Sequence, residues 1–445
     1  MSLPPQNIGA PVAGEFDKAL PKAGFVVVAM FVLNMMSVID RNILAVLIPE
    51  IRADMHLDDF QISLMSGLAF AIFYSVVGLF IGGLIDSRPR RTLIYLGASL
   101  WSIAATATGL AANYVQMFLA RMMVGVGEAT IYPAAQSLMS DFFPRHRLSV
   151  AIASVIVSGA VGAGLSLSLG GWLLDYFTRT GGPIGGLPPW RQVMVVTALP
   201  GLALAFLVFT FAEPPRRGVR EKSSLDFRGF AHIVIRDRRL LVNLLLAIDF
   251  GSIAATIIQQ WVPTYARRVL GMSATEIGGS LGLIFLIGAP ISMFAMAYAC
   301  DRLFARGVRD AALRIWLFGL LASVPLSTVA FLIDNKTLVL LSATITQCTL
   351  GAAFGPAFAA IQMVAEPRAR GRMAALLLLS TTLFTFAFAP SAIGFMTEHV
   401  YGGPEQIGLS LATAFAISGS FSIFFLWRAW QPFRDHLQPA EPRAA

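Results

Sequence analysis

The sequence predicts an all-α membrane protein: twelve transmembrane helices forming two six-helix, pseudo-symmetric bundles around a central cavity. Three observations predict it. Hydrophobic residues make up 56% of the 445-residue chain and charged residues only 13%, with mean hydropathy +0.71, whereas a soluble domain carries about 25% charged residues. Twelve runs each reach the length of about 20 mostly apolar residues that crossing a bilayer requires. The basic residues between those runs fall alternately on one side and then the other, as membrane insertion demands.

The runs, numbered here as spans 1 to 12, cover 23–49, 60–85, 92–112, 115–139, 148–174, 191–212, 240–265, 275–299, 311–333, 337–364, 373–397 and 406–430. With the N-terminus cytoplasmic, the inside segments hold 25 Lys/Arg and the outside segments six; Arg41 and Arg121 complete the 33. That imbalance places both termini in the cytoplasm of a cell whose inner or plasma membrane holds the chain, and one missed span would scramble it. No cleavable signal is expected, because residues 1–20 lack a basic start and an apolar core.

In chain order, a short cytoplasmic segment (1–22) precedes a first bundle (23–212). Span 1 carries Asp40-Arg41 in the middle of its apolar run, and Glu50, Asp54, Asp58 and Asp59 make the following loop acidic, read here as a solvated surface. Span 4 carries Arg121 and Glu128. The glycines of span 5 (Gly159, Gly162, Gly164, Gly170, Gly171) form small-residue faces suited to close helix contact. Residues 213–239 are the longest polar stretch, with Pro214-Pro215 and eight basic residues, and read as a cytoplasmic linker. The second bundle (240–431) contains Asp249 in span 7, a second polar cavity residue or a partner of Ser252 or of a neighbouring helix. Span 11 is rich in aromatics (Phe384, Phe386, Phe388) beside Thr381, Thr382 and Thr385, read mostly as lipid-facing packing. A tail (432–445) closes the chain. Cys300 and Cys348 lie in or beside apolar runs and read as small packing residues.

The halves resemble each other. Span 2 ends in Gly82-Gly-Leu-Ile-Asp86-Ser87-Arg88-Pro89-Arg90-Arg91 and span 8 in Asp301-Arg302; span 4 runs into Pro144-Arg145 and span 10 into Pro367-Arg368. The offsets, 215 and 223 residues, nearly agree. A six-span unit repeated in one orientation puts a binding site near mid-membrane between two rocking halves.

The pattern Gly82-x-x-x-Asp86-x-x-x-Arg90-Arg91, with its degenerate copy at Asp301-Arg302, resembles the signature of the major facilitator superfamily. Here Ser87 stands where a basic residue is usual and Pro89 where glycine is usual, which stiffens the turn. The resemblance implies that these residues help to close the cytoplasmic side between the halves. Asp40-Arg41 together with Arg121-Met-Met-Val-Gly-Val-Gly-Glu128-Ala129 is similar to the spinster family, whose members move lysophospholipids and phosphorylated sphingoid bases; the chain looks like a bacterial-type homologue. The Gly-x-Gly-Glu-Ala segment also occurs in organic-anion symporters of the same superfamily.

A charged side chain at mid-membrane costs about 2.5–3.5 kcal/mol on insertion scales and usually faces a bundle interior or a watery cavity. At 1.5 Å per residue, Asp40 lies about 14 Å below the outer end of span 1, Arg121 about 9 Å and Glu128 about 20 Å down span 4. Arg121 and Glu128, seven apart, share one helical face. All four are therefore expected to face one central cavity and to bind the substrate. An apolar surround makes a carboxylate hold its proton and a nearby arginine makes it let go, so an anion that occupies the arginine releases the carboxylate to take a proton. Glu128, with Asp40 as second, is the expected proton carrier, and Arg41 the expected anion partner, with Arg121 beside it. The reading is a proton-driven transporter of an amphipathic anionic lipid, working by alternating access as a monomer among membrane lipids. The alternative is a proton-coupled symporter of a small organic anion such as a sugar acid.

A multi-span enzyme needs clustered ligands or nucleophiles, yet His56, His146, His232, His399 and His436 are scattered and no Cys-x-x-Cys or His-Glu-x-x-His spacing occurs. No metal or cofactor is expected; the energy source is the proton gradient. Net charge +8 sits in the loops and is no sign of nucleic acid. A channel suits a repeat-built bundle with buried acids and bases less well than alternating access does.

Overall fold

A bilayer offers no hydrogen bonds to a peptide backbone, so each apolar run must satisfy its own, and it does so as helix. The computed structural model describes residues 20–215, 227–366 and 370–437, apart from the side chains at positions 79, 82, 83, 86, 145, 146, 149, 227, 228, 370 and 371; Gly82, Asp86, Arg145 and Pro367-Arg368 of the sequence reading thus fall outside the description. Eleven described helices are long and apolar enough to cross a membrane. Span 4, where Arg121 and Glu128 lower the hydropathy, forms two pieces, Tyr114–Glu128 and Ile131–Phe142. Its break has a local cause. Pro133 has no N–H to give the carbonyl of Ala129, and Thr130 instead turns its hydroxyl onto the Gly127 carbonyl at 2.9 Å.

Several elements run past their expected ends. Span 1 continues beyond Pro49 to Met55. Proline frees the carbonyl four residues back, and here Ala45 O accepts the Thr264 hydroxyl of the far end of span 7 at 3.3 Å, so the helix survives its proline. Span 5 occupies Arg145–Thr180 and span 12 Ile407–Leu437. The linker, expected as a polar connection only, contains the helix Phe227–Arg236.

Spans 2 and 8 begin with the same device. Asp58 caps its helix reciprocally with Gln61, and Ser273 does so with Glu276; these caps are also 215 residues apart. Each span then passes through one π-helical turn, Leu64–Leu68 and Ile284–Gly288.

The core divides by depth. One apolar cluster runs from the distal part of span 1 (Ile43 to Ile51) through Leu167 and Trp190 into the whole second bundle, including Trp261, Trp316 and Phe415. The part of the first bundle nearer the termini has a separate core built on Val26, Leu33, Ile94, Trp101 and Phe142. The bundles are thus joined by apolar packing on the face opposite the termini. On the terminal side the first bundle packs on itself.

Span 5 supplies part of the joint. A Cβ on Gly164 would lie 2.5 Å from Leu286 N, and one on Gly171 would lie 2.1 Å from Ala274 O, so span 8 rests backbone to backbone on span 5, as the small-residue faces predict.

Candidate substrate and coupling site

The buried charges of spans 1 and 4 meet. Arg41 Nε donates to Glu128 Oε2 at 3.0 Å, and Arg41 Nη2 donates to the same oxygen. The guanidinium lies over Phe70 at 4.5 Å, beside Tyr74 at 5.4 Å, and against Phe386 of span 11 at 5.5 Å. Three rings thus hold the cation in place, each through its negative face. Asp40, the preceding residue, points the other way and accepts the Trp101 indole N–H of span 3 at 2.8 Å.

Two glycines explain why Glu128 can reach Arg41. A Cβ on Gly125 would meet Phe70 O at 2.6 Å, and one on Gly127 would meet both Gly97 O and Trp101 N at 2.6 Å. Without side chains there, span 4 lies directly on the backbones of spans 2 and 3. That contact turns Glu128 toward span 1 and brings Trp101 to Asp40. The Gly-x-Gly-Glu segment is therefore a seat for the carboxylate.

Arg121 is wholly buried, and among the described residues nothing hydrogen-bonds its three guanidinium nitrogens, Asp40 Oδ1 or Glu128 Oε1. It lies within electrostatic reach of Glu128, Asp40 and Arg41. Two acids and two bases thus lie close together, balanced in charge but short of hydrogen bonds. Buried polar atoms left without a partner are costly.

The expectation that all four face the central cavity needs correction. Asp40, Arg121 and Glu128 are 1%, 0% and 2% exposed, sealed within the first bundle by Trp101 and the close approach of spans 2, 3 and 4. Only Arg41 lines an opening, a narrow cleft between the bundles with Asn42, Ser66, Gln260, Trp261 and Phe386. Counting residues gave the height of each charge; it could not give the direction set by the glycine contacts.

Next to that cleft lies a cavity of about 290 Å³. Gln259 and Thr385 line it, while their neighbours Gln260 and Phe386 line the cleft, so the two spaces adjoin. Phe285, Met293, Trp316, Leu350 and Phe354 give it apolar walls, and its polar groups are hydroxyls and amides, with no charged residue among them. Phe386, read from sequence as lipid-facing, instead belongs to the site, because the π-helical turn Leu383–Phe388 rotates it inward. Phe388, 56% exposed, is on the outer surface as expected. Asp249 is buried and accepts the hydroxyls of Thr381 at 2.8 Å and Ser380 at 3.3 Å, the neighbouring-helix alternative of the sequence reading.

The acidic stretch after span 1 is not a solvated surface. Asp59 is buried, and its carboxylate takes both ends of Arg268 at 2.5 and 2.8 Å and Arg52 at 2.9 Å. Glu398 of span 11 accepts Arg52 at 2.8 Å and the backbone N–H of Asp59 at 2.9 Å. Glu50 pairs with Arg267 at 2.6 Å, Asp54 with Arg191 at 3.0 Å, and Asp58 caps span 2. Sequence could not show this latch, since its partners come from opposite halves and each looks like an ordinary charge at a helix end.

The signature residues act within the first bundle. Arg90, almost wholly buried, donates to Glu213 at 2.8 Å, to Asp141 and to Pro214 O at 3.1 Å. Arg91 donates to Val208 O at 2.7 Å. Burial alone would raise the Glu213 pKa, but the hydrogen bonds from the Arg90 side chain and the Arg90 and Arg91 amides outweigh it and hold the carboxyl below the usual glutamate range. Among the described residues, these contacts tie spans 3, 4 and 6 together and do not cross to the second bundle in this structure. Asp301 and Arg302 are exposed, with Arg302 over the Tyr298 ring at 5.2 Å. Asp86 and Gly82 belong to the undescribed side chains.

A twelve-span, two-bundle helical fold with buried charges beside a central cavity defines a membrane transporter. Residues 30–390 match the family model of the Major Facilitator Superfamily, and the chain belongs to that family. Its relatives include an MFS-type efflux pump of Mycolicibacterium smegmatis, 24% identical over 94% of this chain and 95% of the other. Another is protein spinster of Drosophila melanogaster, 24% identical over 90% of this chain and 68% of the other. Among solved structures, a bacterial homologue of the human lysosomal transporter spinster, inward-facing and unoccupied, superposes with TM-score 0.80 at 22% identity, covering 95% of this chain and all of that one. A D-xylose–proton symporter gives 0.69 at 14% identity over 91% and 98%. The spinster resemblance read from Asp40-Arg41 and span 4 thus recurs in both comparisons. The chain is an integral, multi-pass transporter of a small-molecule substrate.

Proposed function

We propose that the protein is a proton-coupled secondary transporter of an amphipathic anion of the lysophospholipid or sphingoid-phosphate kind. The observation that carries this reading is the Arg41–Glu128 pair, with its cation at the mouth of an apolar, charge-free cavity. An anionic head group entering the cleft competes with Glu128 for Arg41 while its chain occupies the cavity walls of Phe285, Met293, Leu350 and Phe354. Glu128, released in a dry bundle, takes a proton, with Asp40 as the second acid and Arg121 as the charge that holds the cluster together. Bringing the anion and the proton in together leaves the site with its starting charge, which lets the halves rock.

In this reading the halves are 23–212 and 240–431, joined by 213–239, with 1–22 and 432–445 as cytoplasmic ends in an inner or plasma membrane, and the working unit is a monomer. Closure on the face opposite the termini, through Asp59, Arg268, Arg52 and Glu398, supports an inward-facing state. The hydroxyls and amides of Ser252, Thr256, Gln259, Gln347, Thr381 and Thr385 in the cavity favour a second reading, a small organic anion such as a sugar acid.

Binding of a panel of lysolipids and sugar acids to the purified protein at two pH values tests the proposal. Saturable lysophospholipid binding that Arg41→Ala abolishes is the expected result. Binding of sugar acids alone would install the second reading, and binding of lipid unaffected by Arg41→Ala would remove the anion role.

A further inference from the structure

The charge balance of the first bundle is not matched in the second. Asp249 is the one acidic or basic residue in the middle of spans 7 to 12. It is 1% exposed, and its Oδ1 receives two hydroxyls, Thr381 at 2.8 Å and Ser380 at 3.3 Å, both from span 11. Hydroxyl donors steady a carboxylate but bring no positive charge, and an uncompensated charge at this depth is expensive. A neighbouring basic group, a bound cation or a proton would relieve that cost.

The neighbours do not. Span 12 carries Arg428, Arg434, Asp435 and His436 towards its terminal end, span 11 carries Arg372, Glu398 and His399 near its ends, and span 10 begins at Lys336. Span 7 itself starts after Asp237 at Arg238-Arg239 and carries Tyr265, Arg267 and Arg268 at its far end, and the linker helix carries His232 and Arg236. Among the described residues, the side chains that act on Asp249 are those of Thr381 and Ser380. One carboxylate and two hydroxyls are too few oxygens for a hard metal cation, which takes six or more. A proton needs one.

We propose that Asp249 is a second proton-binding site, in the second bundle, and that its occupancy sets how firmly span 7 grips span 11. Thr381 both donates to Asp249 and lines the central cavity, which gives a proton from the cavity its way in. Ionised, Asp249 draws a firm hydrogen bond from Thr381 at 2.8 Å and a share of the Ser380 hydroxyl, whose single proton also reaches Leu377 O at 3.1 Å; protonated, it draws weaker ones. Span 11 passes directly from Thr381 into the π-helical turn Leu383–Phe388, which places Phe386 against Arg41 at 5.5 Å. The proton on one bundle is thereby linked through a single helix to the ring that covers the ion pair of the other. The inference extends the proton-coupled reading and rests on it only for the use made of the proton.

Infrared difference spectroscopy of the full-length protein in lipid nanodiscs, between acid and alkaline pH, reads the site without any transport step. A pH-dependent carboxyl band present in wild type, lost in Asp249→Asn and kept in Glu128→Gln is the expected result. Thr381→Val, which keeps the shape and removes one donor, should move the midpoint of that band by about one pH unit, the weight of one hydrogen bond to a charged group. Identical bands in wild type and Asp249→Asn overturn the proposal. Should Asp249→Asn fail to fold, an unchanged midpoint in Thr381→Val overturns it equally. Because Glu128 is read separately in the same experiment, failure here is distinguishable from failure of the coupling assigned to the first bundle.

Discussion

Replacing Asp59 by alanine should open the face opposite the termini. The Asp59 side chain is fully enclosed and takes two charged hydrogen bonds from Arg268 of the other bundle, at 2.5 and 2.8 Å, beside an ion pair with Arg52 at 2.9 Å. Opening separates the bundles and breaks those two bonds in any case, so their loss counts against the closed state alone. Removing one partner of a buried ion pair costs about 3–5 kcal/mol. Taking the lower figure, because Arg52 keeps Glu398 at 2.8 Å, the closed state loses about 3 kcal/mol, roughly a hundredfold in population. Spin labels on cysteines at Ala53 and Gly279, both exposed and on opposite bundles, report the gap. The variant should show a longer-distance population that is minor in wild type, and Asp59→Asn, which keeps one acceptor oxygen but not the charge, should fall between. An unchanged distance distribution in a folded Asp59→Ala protein would refute the latch.

Further outcomes follow from the same contacts. Gly127→Ala should lower the melting temperature, since its new methyl meets the fixed backbones of Gly97 and Trp101 at 2.6 Å and overpacking costs about 1–3 kcal/mol; Gly159→Ala, with nothing within 4 Å, is the matched control and should melt as wild type. Glu213, its pKa depressed in the fold, stabilises the protein above the unfolded glutamate value of about 4.3 and loses that contribution as pH falls through the lower folded value. Stability measured down an acid series should therefore drop less steeply in Glu213→Gln than in wild type. Phe386→Ala should weaken anion binding several-fold in equilibrium titration while Phe388→Ala, on the outer surface, leaves it unchanged.

Most of the architecture was legible because a bilayer allows few solutions. Apolar runs had to be helices, and the loop arginines had to alternate. That charges of spans 1 and 4 come together was legible for a similar reason, as charges inside apolar runs have few places to go. What could not be read was direction. Asp40 turns to Trp101 and Arg121 into a sealed space because Gly125 and Gly127 seat span 4 on bare backbone, a contact that sequence spacing does not encode. Span 1 outlasted Pro49 because Thr264, more than 200 residues away, covers the carbonyl the proline leaves. Phe386 looked lipid-facing until a π-helical turn rotated it onto Arg41. The Asp59 latch was hidden for the opposite reason: charges at helix ends are common, and only the fold shows which of them are enclosed.

The central claim is that Glu128 carries the proton that drives transport. Reconstituted in liposomes with an imposed proton gradient, the wild type should accumulate a lysophospholipid that binds it, and Glu128→Gln should bind that lipid, fold and melt comparably, yet show no response to the gradient. Glutamine keeps the shape and most of the hydrogen-bonding capacity but cannot exchange a proton. Gradient-driven accumulation at the wild-type rate in Glu128→Gln would contradict the account and pass the role to Asp40.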